Sequence, residues 1–132
     1  MNKATTICCG FSFIANFSKT DEMIIGVAGP YSADTEEHRQ QNLNNLNKAA
    51  AMLLEKGHIP LIGINAALPV VNAAKIADRY KAIMDISMAV IDKCEALLLI
   101  AESRGANMER DLVLSKGLPV YYSIDEVPDV NF

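Results

Sequence analysis

Residues 96–109 read ALLLIAESRGANME, a continuous apolar run that passes into a polar segment and the beginning of a helix. An uninterrupted apolar run is typical of a parallel strand that is buried on both faces. Ala96–Ile100 is therefore predicted to be the central strand of a sheet. The next element is predicted to be a helix over Arg104–Lys116, with Ser103 as its cap and Gly117 as its stop.

Working outward, short apolar runs alternate with helical periods over residues 23–127, which is the signature of βαβ units and a parallel sheet. Strands are predicted over Met23–Ala28, His58–Ile62 and Leu118–Tyr122, a helix from a Thr35 cap to Gly57, a second helix over Ala73–Lys93, and a loop over Gly63–Asn72. The second helix could break near Met84–Ser87. Right-handed crossovers then favour a doubly wound α/β sandwich of Rossmann or flavodoxin type, with four parallel strands in the order 2-1-3-4.

The composition is that of one globular domain, with 132 residues of which 51% are hydrophobic and 21% charged. The formal net charge is −4 and the basic residues are scattered, which argues against a nucleic-acid polymer as partner. Cys8, Cys9 and Cys94 have no metal-binding spacing, and His38 and His58 are isolated. We therefore expect no metal, no cofactor, reduced thiols and a cytoplasmic location.

Residues 1–22 are predicted to be an N-terminal extension of unknown role, and residues 23–132 to form the domain. Gly10, Ser12 and Asn16 interrupt the apolar stretch of the extension, which is too short to span a bilayer. No small-residue cleavage motif follows it, so we expect neither a signal peptide nor a membrane partner.

Doubly wound sheets bind ligands beyond the carboxyl ends of their strands, where the strand order reverses. The segments selected by this rule are Ala28–Asp34, Gly63–Leu68 and Ala101–Glu109. The first is neither a dinucleotide fingerprint nor a P-loop, and taken alone it reads as an ordinary βα turn.

The segment Ala101–Glu109 places an acidic residue near a helix N-terminus. Free amides and the helix dipole favour anions there, so Glu109 is expected to stay ionised, as a nucleophile must, and Ser103 could hold a phosphate or sugar oxygen. The plainer alternative is an ordinary capped helix with Glu109 facing solvent.

Asp85 is a second candidate, because Ile83, Met84 and Ile86 beside it are apolar. Partial desolvation would make its carboxyl a better proton donor. The alternative is an exposed Asp85 on the polar side of its helix, and Asp78 and Asp92 compete for the same role.

Taken together, several motifs resemble the nucleoside 2-deoxyribosyltransferase superfamily, most closely its small branch with the AGPYS opening. More distantly they resemble the 2′-deoxynucleoside 5′-phosphate N-hydrolases. The motifs are Ala28-Gly29-Pro30-Tyr31-Ser32, Asn42, Gly57-His58-Ile59-Pro60, Asp85, Cys94-Glu95-Ala96-Leu97-Leu98-Leu99, Ser103-x-Gly105-Ala106-x-x-Glu109 and Gly117-Leu118-Pro119-Val120. The resemblance covers about residues 23–127.

The resemblance implies roles for particular residues. Glu109 matches the nucleophile that attacks the anomeric carbon, and Asp85 the acidic residue that serves the leaving base and the sugar hydroxyls. The implied substrate-binding residues are Gly29, Pro30, Tyr31, Ser32, Ser103, Arg104, Gly105 and Ala106. The hydrolases' loop arginine has no counterpart in Gly29–Ser32, and Arg104 is the residue that could compensate.

The function implied is cleavage or transfer at the N-glycosidic bond of a nucleoside or nucleoside 5′-monophosphate, through a covalent glycosyl–Glu109 intermediate. The carboxyls of Glu109 and Asp85 should then converge beside Tyr31, roughly 5 Å apart as in retaining glycosyl transfer. A non-catalytic nucleotide-binding or sensing module and an interaction protein with a vestigial pocket are the alternatives. Relatives complete their pockets across subunit contacts, which implies a homo-oligomer, most simply a dimer.

Overall fold

The structure, a computed structural model, describes residues 21–130. The predicted extension therefore lies outside the described residues, except for Asp21 and Glu22. The elements in chain order are β1 (Ile24–Ala28), α1 (Glu36–Glu55), β2 (Ile59–Leu61), α2 (Gly63–Ala73), α3 (Arg79–Asp92), β3 (Ala96–Leu99), α4 (Arg104–Ser115), β4 (Val120–Tyr121) and a 3-10 turn (Ile124–Glu126).

The four strands form one parallel sheet in the order β2-β1-β3-β4, which confirms the predicted α/β fold and strand order. All of β3 is buried, as its continuous apolar run predicts. The strand order reverses between β1 and β3, so the carboxyl ends of these two strands flank the crevice where such folds bind ligands.

Alternate side chains of the strands pack into two cores, one on each face of the sheet. Val27 and Leu98 pack with Leu46 and Leu53 of α1. On the opposite face, the core contains Leu97 and Leu99 of β3, Ile91 of α3, and Ala106 and Val113 of α4. Helices therefore cover both faces, as a doubly wound sandwich requires.

The predicted loop over Gly63–Asn72 is wrong, because this segment forms most of α2. Gly63, Ala67 and Val71 are buried at a spacing of four residues, which is the apolar stripe of a helix. Burial of this stripe outweighs Pro69, which lies inside the helix and usually favours a break.

The next helix also differs from its prediction. It begins at Arg79 rather than Ala73, because the Asp78 carboxylate accepts a hydrogen bond of 3.0 Å from the Lys81 amide and caps the helix there. It then continues to Asp92 without a break near Met84–Ser87. The last strand is shorter than predicted and contains only Val120–Tyr121.

Within residues 21–130, no helix is both long enough and apolar enough to cross a membrane.

Candidate functional site

A cavity of about 330 Å³ opens at the carboxyl ends of β1 and β3. Its walls are the segments that follow these two strands, the first turn of α2 and one face of α3. The volume lies within the range of small-molecule sites, and the position is the one that the reversal of strand order selects.

All residues predicted to bind substrate line this cavity, together with Glu109. They are Gly29, Pro30, Tyr31, Ser32, Ser103, Arg104, Gly105 and Ala106. The structure thus brings the AGPYS turn and the start of α4 to one site, although they are far apart in sequence. Their role in binding stays a prediction.

The start of α4 is built as an anion-favouring wall. Ser103 is extended at the N-cap, and its hydroxyl accepts a hydrogen bond of 3.2 Å from the Ala106 amide. The first amides of a helix have no acceptor inside it, so they can bind an oxyanion from the cavity. The Arg104 guanidinium lies 5.5 Å from the centre of the Tyr80 ring, a cation–π distance that holds this cation beside the cavity.

Glu109 is the acidic residue of the cavity, and only 6% of its surface is exposed. Its Oε2 accepts a hydrogen bond of 2.6 Å from the Ser87 hydroxyl on α3. Desolvation by burial raises the pKa of Glu109 to about 7, and the hydrogen bond from Ser87 opposes this rise in part. The carboxyl is therefore divided between its protonated and ionised forms at neutral pH.

This protonation equilibrium corrects the prediction that the helix dipole keeps Glu109 ionised. The dipole acts mainly on the first turn of a helix, whereas Glu109 lies in the second turn of α4, so desolvation dominates. Glu109 lines the same cavity as Tyr31 and does not face open solvent.

A close approach of two helices places Ser87 next to Glu109. A Cβ atom added to Gly63, at the start of α2, would overlap the Ser87 hydroxyl and come within 3.0 Å of the Ser87 Cβ. Glycine at this position therefore allows α2 to pack directly against the part of α3 that carries Ser87.

Asp85 does not lie in the predicted apolar surroundings. Its side chain is 62% exposed, and its Oδ2 accepts a hydrogen bond of 2.6 Å from the Lys81 ammonium one turn earlier. The cavity-facing residues of α3 are Tyr80, Ile83, Met84 and Ser87. This face follows the i, i+3, i+4, i+7 spacing, and Asp85 falls outside it, so the predicted convergence with Glu109 is not seen.

The two competing carboxylates are also engaged elsewhere. Asp78 caps α3, and Asp92 pairs with Lys116 at 3.1 Å. Neither residue lines the cavity, so Glu109 is its only carboxylate among the described residues.

The side chains on α2 and α3 that complete the cavity are not among the residues predicted from the sequence to form the site. They are Ile64, Tyr80, Ile83, Met84 and Ser87. The helical spacing of Tyr80, Ile83 and Ser87 was visible in the sequence, but the same spacing is typical of core positions. Ile64 lies in one of the three segments predicted to border the site.

Within the described part of the chain, no group of three or more His, Cys, Asp or Glu side chains is placed to hold a metal ion.

A family model described as a domain of unknown function, DUF4406, matches residues 23–122. This range contains all the residues that line the cavity. A search among curated proteins found no match to the chain.

Proposed function

The chain belongs to the DUF4406 family, and we propose that it cleaves or transfers at the N-glycosidic bond of a nucleoside or nucleoside 5′-monophosphate, with Glu109 as the nucleophile. One observation carries the proposal. A single buried carboxylate, Glu109, lies in a cavity bordered by the AGPYS turn and by the anion-favouring start of α4.

The environment of Glu109 supports a nucleophilic role. Burial deprives the ionised carboxylate of water and so raises its free energy. Bonding to the electron-poor anomeric carbon neutralises it as an ester and relieves that cost. The hydrogen bond from Ser87 holds one oxygen, Oε2, and restricts the orientation of the carboxyl group. Positioning of this kind lowers the entropic cost of attack.

In the proposed reaction, an oxygen of ionised Glu109 attacks the anomeric carbon of the sugar. The carbon–nitrogen bond breaks, its electron pair goes to the base, and the base takes a proton from water. Water or a second base then attacks the anomeric carbon of the ester and gives up a proton to the hydroxide left by the first step, and the Glu109 carboxylate is released. Asp85 has no part in this scheme, since it is exposed and paired with Lys81.

The start of α4 suits the remainder of the substrate. Free amides, the Ser103 cap and the Arg104 guanidinium provide donors for a sugar hydroxyl or a phosphate. Tyr31 and Pro30 give the opposite side an apolar surface on which a sugar or base can pack. Recognition in this proposal needs neither a metal nor a cofactor.

A homodimer and a cytoplasmic location are further parts of the proposal. Ile76 and Tyr80, which are 44% and 46% exposed, offer apolar surface to a second copy at the beginning of α3. Light scattering at micromolar concentration tests the dimer, and a monomer mass would remove it.

The proposed activity is tested by incubating the protein with ribonucleosides, deoxynucleosides and their 5′-monophosphates, with chromatography for free base. We expect base release by the wild type and a rate of base release at least about a thousandfold lower in Glu109→Gln. Mass spectrometry of the wild type should detect a sugar bound covalently to Glu109. Asp111→Asn is the matched control, because it makes the same change on an exposed side chain of the same helix.

Full activity in Glu109→Gln would rule out the proposed nucleophile. A ligand that raises the melting temperature of the wild type without base release would favour the nucleotide-binding module instead.

A further inference from the structure

A second cavity, of about 570 Å³, adjoins the Glu109 cavity. Tyr31 and Ile83 line both cavities, so a ligand that passes these two side chains would reach from one into the other. The second cavity is enclosed by the first turns of α1 and α3 and by the end of α2.

The second cavity contains two guanidinium groups and one carboxylate, which gives it a net positive charge. The carboxylate is Glu36, and one of its oxygens pairs with one of the two arginines. Nε and Nη2 of Arg39 donate to its Oε1 at 3.1 and 3.0 Å, while Nη1 donates to the Ala33 carbonyl at 2.8 Å. Arg39 is therefore neutralised and holds the turn that follows β1.

Arg79 is different, because both of its acceptors are neutral. Its Nη2 donates to Oδ1 of Asn72 at 2.8 Å, and its Nη1 donates to the Val71 carbonyl at 3.4 Å. Among the described residues, no carboxylate lies within 4.0 Å of the Arg79 guanidinium. Arg79 is solvent-exposed, so its charge is hydrated but has no carboxylate partner among these residues, and two hydrogen bonds hold the guanidinium at the wall of the cavity.

We propose that the second cavity is an oxyanion subsite, in which Arg79 binds a phosphate or carboxylate group of a ligand that also occupies the Glu109 cavity. A guanidinium binds these groups through two parallel hydrogen bonds, and the one that Arg79 makes to Val71 is long enough to be exchanged for a stronger one. Asn72 and Gln40 also line this cavity and have amide N–H groups to donate, although Gln40 Nε2 already donates one to Asn44. The inference rests on the proposed function only for the nucleoside part of the ligand.

A purely structural role for Arg79 predicts different behaviour. A cation at the end of α2 stabilises the last carbonyls of that helix, Val71 among them. Such a role would change the melting temperature of an Arg79 variant but not its discrimination between neutral and anionic ligands.

The test compares three probes by calorimetry: uridine, uridine 5′-monophosphate and orotidine. Each of the last two adds one oxyanion to uridine, on the sugar and on the base respectively. We expect at least one of them to bind the wild type about tenfold or more tightly than uridine, as a charge-assisted pair should. The probe that gains affinity shows which end of the nucleoside reaches the second cavity.

The variants assign this gain to a residue. Arg79→Gln should abolish it while leaving uridine binding unchanged, and Arg79→Lys should retain part of it. Arg110→Gln is the matched control, since Arg110 pairs with Asp111 outside both cavities and should retain the full gain.

The subsite is overturned if the wild type binds all three probes equally, or if Arg79→Gln and Arg110→Gln change the gain equally. It is also overturned if Arg104→Gln alone abolishes the gain, because the anion would then bind at the start of α4. Base release is measured separately. An Arg79-dependent gain in affinity without base release would support the subsite and contradict the proposed function. Base release without such a gain would support the proposed function and contradict the subsite.

Discussion

The Ser87 hydroxyl lies 2.6 Å from Oε2 of Glu109 and donates a hydrogen bond to it, so one buried polar contact joins α3 to α4 across the cavity. Both residues are almost fully buried, at 5% and 6% exposure. Within residues 21–130 this is the one side-chain hydrogen bond that Glu109 makes, and Ser87 therefore controls both the orientation and the protonation of the carboxyl group.

Ser87→Ala should shift the pH dependence of the proposed reaction. The Ser87 hydrogen bond lowers the pKa of Glu109, which is about 7 in the wild type, so its removal raises that pKa further. Because the nucleophile must be ionised, base release should fall about tenfold at pH 6 and much less at pH 9. The measurement is kcat/KM against pH, with Ser115→Ala, on the exposed end of α4, as control. An equal loss at every pH would contradict the pKa argument.

Glu109→Gln should stabilise the protein at alkaline pH. Burial raises the pKa of Glu109 from its ordinary 4.5 to about 7, so the folded state binds this proton more tightly than the unfolded state does. The free energy of unfolding of the wild type should therefore fall as pH rises from about 4.5 to 7, by up to about 3 kcal/mol. The free energy of unfolding of Glu109→Gln should not fall in this way over the same pH range.

Urea denaturation at pH 4.5 and pH 8 measures this effect. We expect little difference between wild type and Glu109→Gln at the lower pH, and greater stability of the variant at the higher pH. Parallel pH curves for the two proteins would show that the buried carboxyl does not oppose folding.

The parts of the fold that follow from local signals were predictable. The run Ala96–Ile100 is apolar at every position, and only a strand covered on both faces can bury it. Ser103 and Gly117 delimit α4 by capping chemistry, which acts over a few residues and needs no tertiary partner. Once these strands and helices are placed, the reversal of strand order brings the AGPYS turn to the cavity without further information.

The remaining features depend on contacts that no local pattern contains. Pro69 and Gly63 read as loop residues, yet α2 forms because its buried stripe packs on the neighbouring helix. The predicted burial of Asp85 rested on its apolar neighbours in the sequence. Neighbours at i±1 lie on other faces of a helix, and the exposure of Asp85 depends on the face that carries it. The protonation of Glu109 depends on its depth in the cavity, which only the packed structure gives.

Asp85→Asn should leave base release within about twofold of the wild type, because the side chain faces solvent and forms an exposed i,i+4 pair with Lys81. Such pairs contribute about 0.3–0.5 kcal/mol to stability, so the melting temperature should also change little. Steady-state kinetics on substrates with good and poor leaving bases provides the measurement. A selective loss on poor leaving bases would mean that Asp85 reaches the substrate after all.

His58→Phe should destabilise the fold although it lies outside the cavity. The imidazole is 1% exposed, its Nδ1 accepts a hydrogen bond of 3.1 Å from the Met23 amide, and its Nε2 donates one of 2.7 Å to the Pro128 carbonyl. Phenylalanine would remove both of these partly buried hydrogen bonds, at a cost of about 1–3 kcal/mol.

Lys56→Ala provides the comparison for His58→Phe, because it removes the exposed pair between Lys56 and Asp129 in the same terminal region. That variant should lose at most about 1 kcal/mol. Equal losses in the two variants, measured by thermal denaturation, would contradict the assigned role of the imidazole.

Gly63→Ala should damage the site from outside it. The added methyl group would overlap the Ser87 hydroxyl and crowd the Ser87 backbone, so α2 and α3 must separate or Ser87 must turn away from Glu109. Overpacking of this kind costs about 1–3 kcal/mol, and the loss of the hydrogen bond should reproduce the alkaline shift of Ser87→Ala. Gly105→Ala is the control for the melting temperature alone, because Gly105 lines the cavity but its methyl group would meet only the flexible Met84 side chain, with Sδ at 3.2 Å. A Gly63→Ala variant with the wild-type melting temperature and pH profile would show that α2 does not fix the position of Ser87.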